Sequence, residues 1–116
     1  QKACGQTPIL FRPPSGSYND TVIDCIHQSG CIPIQWSIDT LDWKTKNAQN
    51  TINVVLSSVK DGDIILMHDL YGTSADAAVV LIPELKKRGY QLVTVSEMAS
   101  LRGGMTPGQV YHSFRP

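Results

Sequence analysis

Apolar residues along the chain fall into short, β-branched runs alternating with stretches of helical spacing, the pattern of successive βα units around a buried parallel sheet. Ile9 to Phe11 reads as the first strand. After it, Ser17 and Asp20 have capping-box spacing, Val22, Ile23 and Ile26 recur on one helical face, and Gly30 ends the helix. Ile32 to Trp36 is the second strand. Ile52, Val55, Leu56 and Val59 then fall at i, i+3, i+4 and i+7, which predicts a core-facing helix over 47–59, turned back by Asp61-Gly62. Asp63 to Met67 forms the third strand. The next helix opens near Ser74, turns Ala78, Leu81, Ile82 and Leu85 inward, and ends on Lys86, Lys87 and Arg88, whose charges suit its C-terminal dipole. Pro83 inside that pattern predicts a kink or a break. Gln91 to Val95 is the last strand, followed by a helical turn over 97–101 and an irregular tail over 102–116.

Strand and helix pairs in series, without a hairpin signal, build either an open doubly wound sheet or an arc of a β/α barrel, and in both the ligand loops leave the carboxyl ends of the strands. Three polar segments occupy those ends: Phe11-Arg12-Pro13-Pro14-Ser15-Gly16, Ser37-Ile38-Asp39-Thr40-Leu41-Asp42-Trp43 and Ile65-Leu66-Met67-His68-Asp69. His68 follows its strand directly, and Asp42 is its natural partner. A carboxylate that accepts from one ring nitrogen leaves the other to donate, which makes a general acid. The competing reading is a histidine satisfied by backbone at a strand end.

Arg12, stiffened by two following prolines, suits a guanidinium fork on a carboxylate, or is a surface arginine in a turn. Gly16 allows close approach of backbone to a ligand, and the amides after Pro14 are candidates for an oxyanion. Trp43 and Leu66 offer apolar surface to a methyl group, or to the core. Asp39 is expected to stabilise its own loop, while His27 in a helix and His112 in the tail are bystanders.

With 116 residues and a 41% hydrophobic composition the chain suits one small domain, residues 1–116. Ten basic and ten acidic residues cancel, so no overall field draws it to nucleic acid or to an anionic membrane. The longest apolar stretch, Ala77 to Ile82, falls far short of the roughly 20 residues of a membrane helix, and any export signal is expected elsewhere. Cys4, Cys25 and Cys31 form an odd set without a C-x-x-C pair, which excludes a zinc knuckle or a thioredoxin-type motif. Free, mostly buried thiols are the preferred reading, ahead of a Cys25–Cys31 bridge or pairing with another segment.

Taken in order, R-P-P-x-G, D-x-x-D-W and I-x-L-x-H resemble the last three motifs of the NodB-homology polysaccharide deacetylases, carbohydrate esterase family four, over Ile9 to Leu101. The resemblance implies a distorted barrel, of which this chain is a partial (β/α) barrel with about four parallel βα units. It further implies metal-dependent hydrolysis of N- or O-acetyl groups on chitin-like, peptidoglycan or xylan polymers. His68 then corresponds to the acid that protonates the departing amine or alcohol, Asp42 to the carboxylate that orients it, and Arg12 to the tether of the catalytic base. Trp43 and Leu66 correspond to the pocket for the acetyl methyl, and the Ser15 amide to the oxyanion donor.

The chain departs from the family in two places. Ser15 stands where the family has tyrosine, which removes part of an aromatic wall. The T-F-D-D and H-x-x-x-H segments that carry the base and the metal ligands are absent, so this chain has no metal site of its own and resembles the C-terminal half of the domain. A divalent metal, zinc first, is expected on ligands outside the chain. The open sheet edges of a half barrel call for a companion N-terminal half or for self-association. The expected setting is extracellular or at the cell surface, with acetylated polysaccharide as substrate. A non-catalytic carbohydrate-binding or interaction module derived from the same fold is the alternative. A flavodoxin-type open sheet comes third, since no glycine-rich phosphate loop opens a helix.

Overall fold

The computed structural model describes residues 2–116. Strand β1 (Leu10–Phe11) pairs in parallel with β2 (Ile32–Pro33), and β3 (Ile38–Asp39) pairs in parallel with β4 (Ile65–Leu66). Leu10 lies opposite Ile32, and Ile38 opposite Ile65. Because β2 and β3 belong to one run of chain, that run sits between β1 and β4 and joins the two ladders into an arc. This is a compact α/β arrangement. The second strand is longer and more broken than its apolar run predicts: Ile34 leaves the first ladder to bridge Tyr111, and the D-x-x-D-W segment itself begins inside a strand.

Helices cover the arc. Helix α1 (Asp20–Gln28) is capped by Asn19, whose side chain accepts from the Val22 amide at 3.0 Å, and not by the Ser17 and Asp20 pair. The single turn α2 (Asp42–Thr45) is flanked by left-handed Leu41 and Lys46. Helix α3 (Ala48–Ser58) is capped by Asn47, and α4 (Gly72–Lys87) continues through Pro83 without a break. Helix α5 (Val95–Leu101) opens on a true capping box between Thr94 and Glu97.

The main core lies between α3 and α4, where Ile52 and Val55 meet Ala77, Leu81 and Leu85. Burying a leucine of this kind stabilises by roughly 1.5–3 kcal/mol. The α4 stripe thus runs at i, i+4 and i+8 from Ala77, and Ile82, expected inside, is 48% exposed. A second cluster joins Ile34, Ile64, Ala99 and Phe114.

The last expected strand does not form. Residues 91–94 are exposed and pair with no neighbour, because a strand needs an adjacent edge and none is presented to them. Between this segment and the β4 region lies an open cleft of about 720 Å³, lined by Ile65, Leu85, Leu92, Val93 and Met98 and reached by Arg12.

The tail is irregular, yet it is docked. Phe114 is buried and its amide donates to the Gly62 carbonyl at 2.7 Å, while Arg115 pairs with Asp63 at 2.7 Å. Gly62 has φ +84°, and a Cβ there would collide with the Phe114 carbonyl group. Gly62→Ala in the full-length protein is therefore expected to cost roughly 2–4 kcal/mol through left-handed strain and the lost tail contact. A denaturant titration showing less than about 1 kcal/mol would mean that the tail does not dock there.

The cysteines are free, as preferred, but not buried: Cys4 and Cys25 are exposed and Cys31 is half-buried. Among the described residues no helix is long and apolar enough to cross a membrane.

Candidate active site

Parallel pairing of β3 with β4 brings Asp42 and His68 to the same sheet edge, since each follows its strand by a few residues. The two side chains meet there. His68 Nδ1 lies 2.8 Å from Asp42 Oδ1, and the same carboxylate oxygen accepts from the Trp43 amide at 2.9 Å. The other oxygen, Oδ2, accepts from the His68 amide and from the Ser74 hydroxyl, each at 2.6 Å. Asp42 is 1% exposed. Burial alone would raise its pKa, but the donors from Ser74, His68 and Trp43 outweigh it and lower the value from 3.8 to about 2.

An ionised carboxylate only accepts, so Nδ1 of His68 carries a proton toward Asp42. The tautomer is thereby set. Nε2 has no protein partner among the described residues, and the His68 side chain is 36% exposed. The pair therefore presents one ring nitrogen to a ligand while the other is anchored, the arrangement a proton donor requires.

Ser74 went unnoticed in the sequence, where it served only to mark the start of a helix. Its signal was nevertheless present. It lies three residues before Ala77, so it heads the buried stripe of α4, and a polar residue at the head of an apolar stripe needs a buried partner.

Arg12 is placed differently from the fork on a carboxylate that its sequence context suggests. Its guanidinium donates to the carbonyls of Ile34 at 3.3 Å and Gln35 at 3.2 Å, and stacks over Trp36 at 5.7 Å. Partial burial lowers its pKa. Gln35 in turn donates to the Gly16 carbonyl at 2.9 Å, and a Cβ on Gly16 would strike the Trp36 ring at 2.6 Å. These contacts hold the Pro13–Gly16 loop against the second strand. Ser15 sits in that loop with φ 57°, and its amide has no acceptor among the described residues.

Trp43 is 47% exposed and free to face a ligand, while Leu66 is buried in β4. Asp39 does stabilise its loop, accepting from the Leu41 amide at 3.0 Å. Both His27 and His112 are exposed and take no part in the His68–Asp42 pair. The open cleft beside residues 91–93 is lined by neither Asp42 nor His68, so it is not where a proton donor would act.

Among the described residues, no group of three or more His, Cys, Asp or Glu side chains is placed to hold a metal ion. The His68–Asp42 pair does not fit one either. Four donors already occupy the carboxylate, and a cation would have to displace them.

No protein-family model matches the chain. Its sequence is 39% identical over 102 residues to the peptidoglycan-N-acetylmuramic acid deacetylase PdaC of Bacillus subtilis, covering 88% of this chain and 21% of that one. It is 42% identical over 94 residues to the peptidoglycan-N-acetylglucosamine deacetylase PgdA of Listeria monocytogenes, covering 81% and 20%. Its fold matches a family 4 acetyl xylan esterase of Clostridium thermocellum, solved with a cobalt ion, at a TM-score of 0.85 and 32% identity, over 97% of this chain and 57% of that one. Along most of its length the chain is similar to members of carbohydrate esterase family four. It spans about a fifth of the length of these curated relatives and little more than half of the solved esterase. Asp42 and His68 lie in the D-x-x-D-W and I-x-L-x-H segments that carried the resemblance.

Proposed function

We propose that this chain is the C-terminal half of a metal-dependent polysaccharide deacetylase domain, acting on acetylated glycans and on peptidoglycan first. The observation that carries the proposal is the 2.8 Å contact between a fully buried carboxylate and a histidine whose second nitrogen is open. Hydrolysis breaks the bond between the acetyl carbon and the sugar nitrogen or oxygen, and water supplies the new oxygen. The leaving atom must gain a proton. A base on the rest of the polypeptide takes a proton from that water, the doubly protonated His68 ring gives the proton on Nε2 to the leaving atom while Asp42 holds Nδ1–H, and both groups exchange protons with solvent after product leaves.

In this reading Arg12 tethers a base supplied by the rest of the polypeptide, Trp43 and Leu66 wall the acetyl methyl, and the unpartnered Ser15 amide faces the developing oxyanion. What supports this reading is that the loops carrying these groups all leave carboxyl ends of parallel strands. A divalent metal, zinc in the first instance, belongs to residues outside this chain. The full-length protein is expected to release acetate from peptidoglycan and to lose that activity on chelation until a divalent ion is restored. Absence of acetate release from every acetylated glycan would sink the reading, and release indifferent to chelation would remove the metal from it.

The arc of βα units needs its other half. Ile9 and Phe11 are exposed at one edge and Leu92 and Val93 at the other, and such edges invite pairing. The remaining half of a partial barrel, with a fourth βα unit completed by residues 91–95, covers both. Expressed alone, the 116-residue chain should self-associate, and the separately produced preceding segment should convert it into a one-to-one complex. Sedimentation showing a monodisperse monomer at all concentrations overturns this. A peptidoglycan substrate places the working protein outside the cell or at its surface, and survival of the protein when intact cells are treated with protease would argue against that setting.

A further inference from the structure

We propose that Ser74 is the positioning residue of the acid, fixing the plane of Asp42 and through it the imidazole of His68; the role rests on the deacetylase reading above. A carboxylate attached through one carbon can rotate about its last torsion, and three of its four hydrogen bonds come from groups that move with the site loops. Two are amides, of Trp43 and His68, and the third is the His68 ring itself. Ser74 alone belongs to a long helix packed into the main core: it is buried on the first turns of α4, three residues before Ala77. Its hydroxyl reaches Oδ2 at 2.6 Å.

A helical serine ordinarily returns its hydroxyl to a carbonyl in the preceding turn. Ser74 instead spends it on Asp42, so the helix and its core become the reference frame for the carboxylate. Once Oδ2 is pinned between Ser74 and the His68 amide, Oδ1 can face only the Trp43 amide and His68 Nδ1. The open Nε2 then points along one direction. A general acid must lie within hydrogen-bond reach of the atom it protonates, so loss of this anchor should be felt in turnover more than in substrate affinity.

The experiment uses the full-length protein, an acetylated glycan oligomer, and the variants Ser74→Ala, Ser74→Thr and Ser74→Cys. Ser74→Ala is expected to lower kcat by about 10-fold with KM within roughly 2-fold, as a small misplacement of a proton donor would. The hydroxyl of Ser74→Thr should restore most of the loss, and Ser74→Cys, with a weak donor of similar size, should fall between. In proton NMR spectra the His68 Nδ1 proton should give a downfield line that broadens in Ser74→Ala and recovers in Ser74→Thr.

An unchanged kcat in a folded Ser74→Ala protein, or equal losses in the alanine and threonine variants, overturns the assignment. Should the alanine variant fail to fold, the cysteine variant decides by the same criteria. If the unmodified protein shows no turnover, the deacetylase reading fails first. The NMR line then judges Ser74 by itself, and a line indifferent to all three substitutions rejects the role.

Discussion

His68→Ala in the full-length protein is expected to lower kcat by about 10²–10⁴-fold, the usual span for a general acid, while KM changes little. The imidazole is half-exposed, so its removal opens no buried cavity and should leave the fold intact. The loss follows from the leaving group: a sugar amine expelled without a proton is a poor leaving group, and among the described residues no second acid contacts Asp42 to replace the ring. A substrate with an activated leaving group, which needs no proton, should recover most of the rate. Unchanged turnover on the natural polymer would mean that another group supplies the proton.

Asp42→Asn carries the second large effect, on activity and on stability together. The amide nearly preserves the shape of the carboxylate but offers one acceptor atom where two stood, and its nitrogen brings two further hydrogens into a cluster of donors. His68, Ser74 and the amides of Trp43 and His68 cannot all be satisfied, and each buried donor left unpaired costs roughly 1–3 kcal/mol. A loss of several kcal/mol is expected, together with a fall in turnover close to that of His68→Ala, since the ring loses the partner that sets its tautomer. Stability within about 1 kcal/mol of the unmodified protein would show that the cluster is looser than its hydrogen bonds imply.

Acid gives an independent view of the same group. A carboxyl held at about 2 instead of 3.8 contributes about 2 kcal/mol at neutral pH. Because the folded value is the lower one, this contribution is complete above the unfolded value and is lost as pH falls from about 4 through 2. Asp63, also lowered, adds to the acid sensitivity of the whole protein. The difference between Asp42→Asn and the unmodified protein isolates the part due to Asp42: the gap in unfolding free energy should narrow as pH drops. A gap independent of pH would contradict the ionised, donor-saturated state.

Helices α3 and α4 were legible because their apolar residues repeat at helical spacing. The boundaries were less so. Asn47, read as the first residue of its helix, is its cap, and Asn19 displaced the Ser17 and Asp20 pair, since several residues near a helix start can cap and only the backbone path selects one. Ile82 illustrates the limit of periodicity: two adjacent stripes on α4 are both apolar, and the position of α3 decides which is covered. Pro83 lies in an unbroken helix, and the exposed thiols depart from the usual burial of cysteine.

The sequence by itself determined the order of the first three strand runs and of the main helices, the three polar segments at strand ends, and the family that they resemble. Each of these is a matter of local spacing, which the chain carries without regard to its neighbours. Tertiary structure decided what depends on partners distant in sequence. It brought Ser74 onto Asp42 across 32 residues, turned Arg12 onto backbone carbonyls, and docked the tail through Phe114 against Gly62. It also left residues 91–94 unpaired, because a strand exists only where another edge accepts its hydrogen bonds.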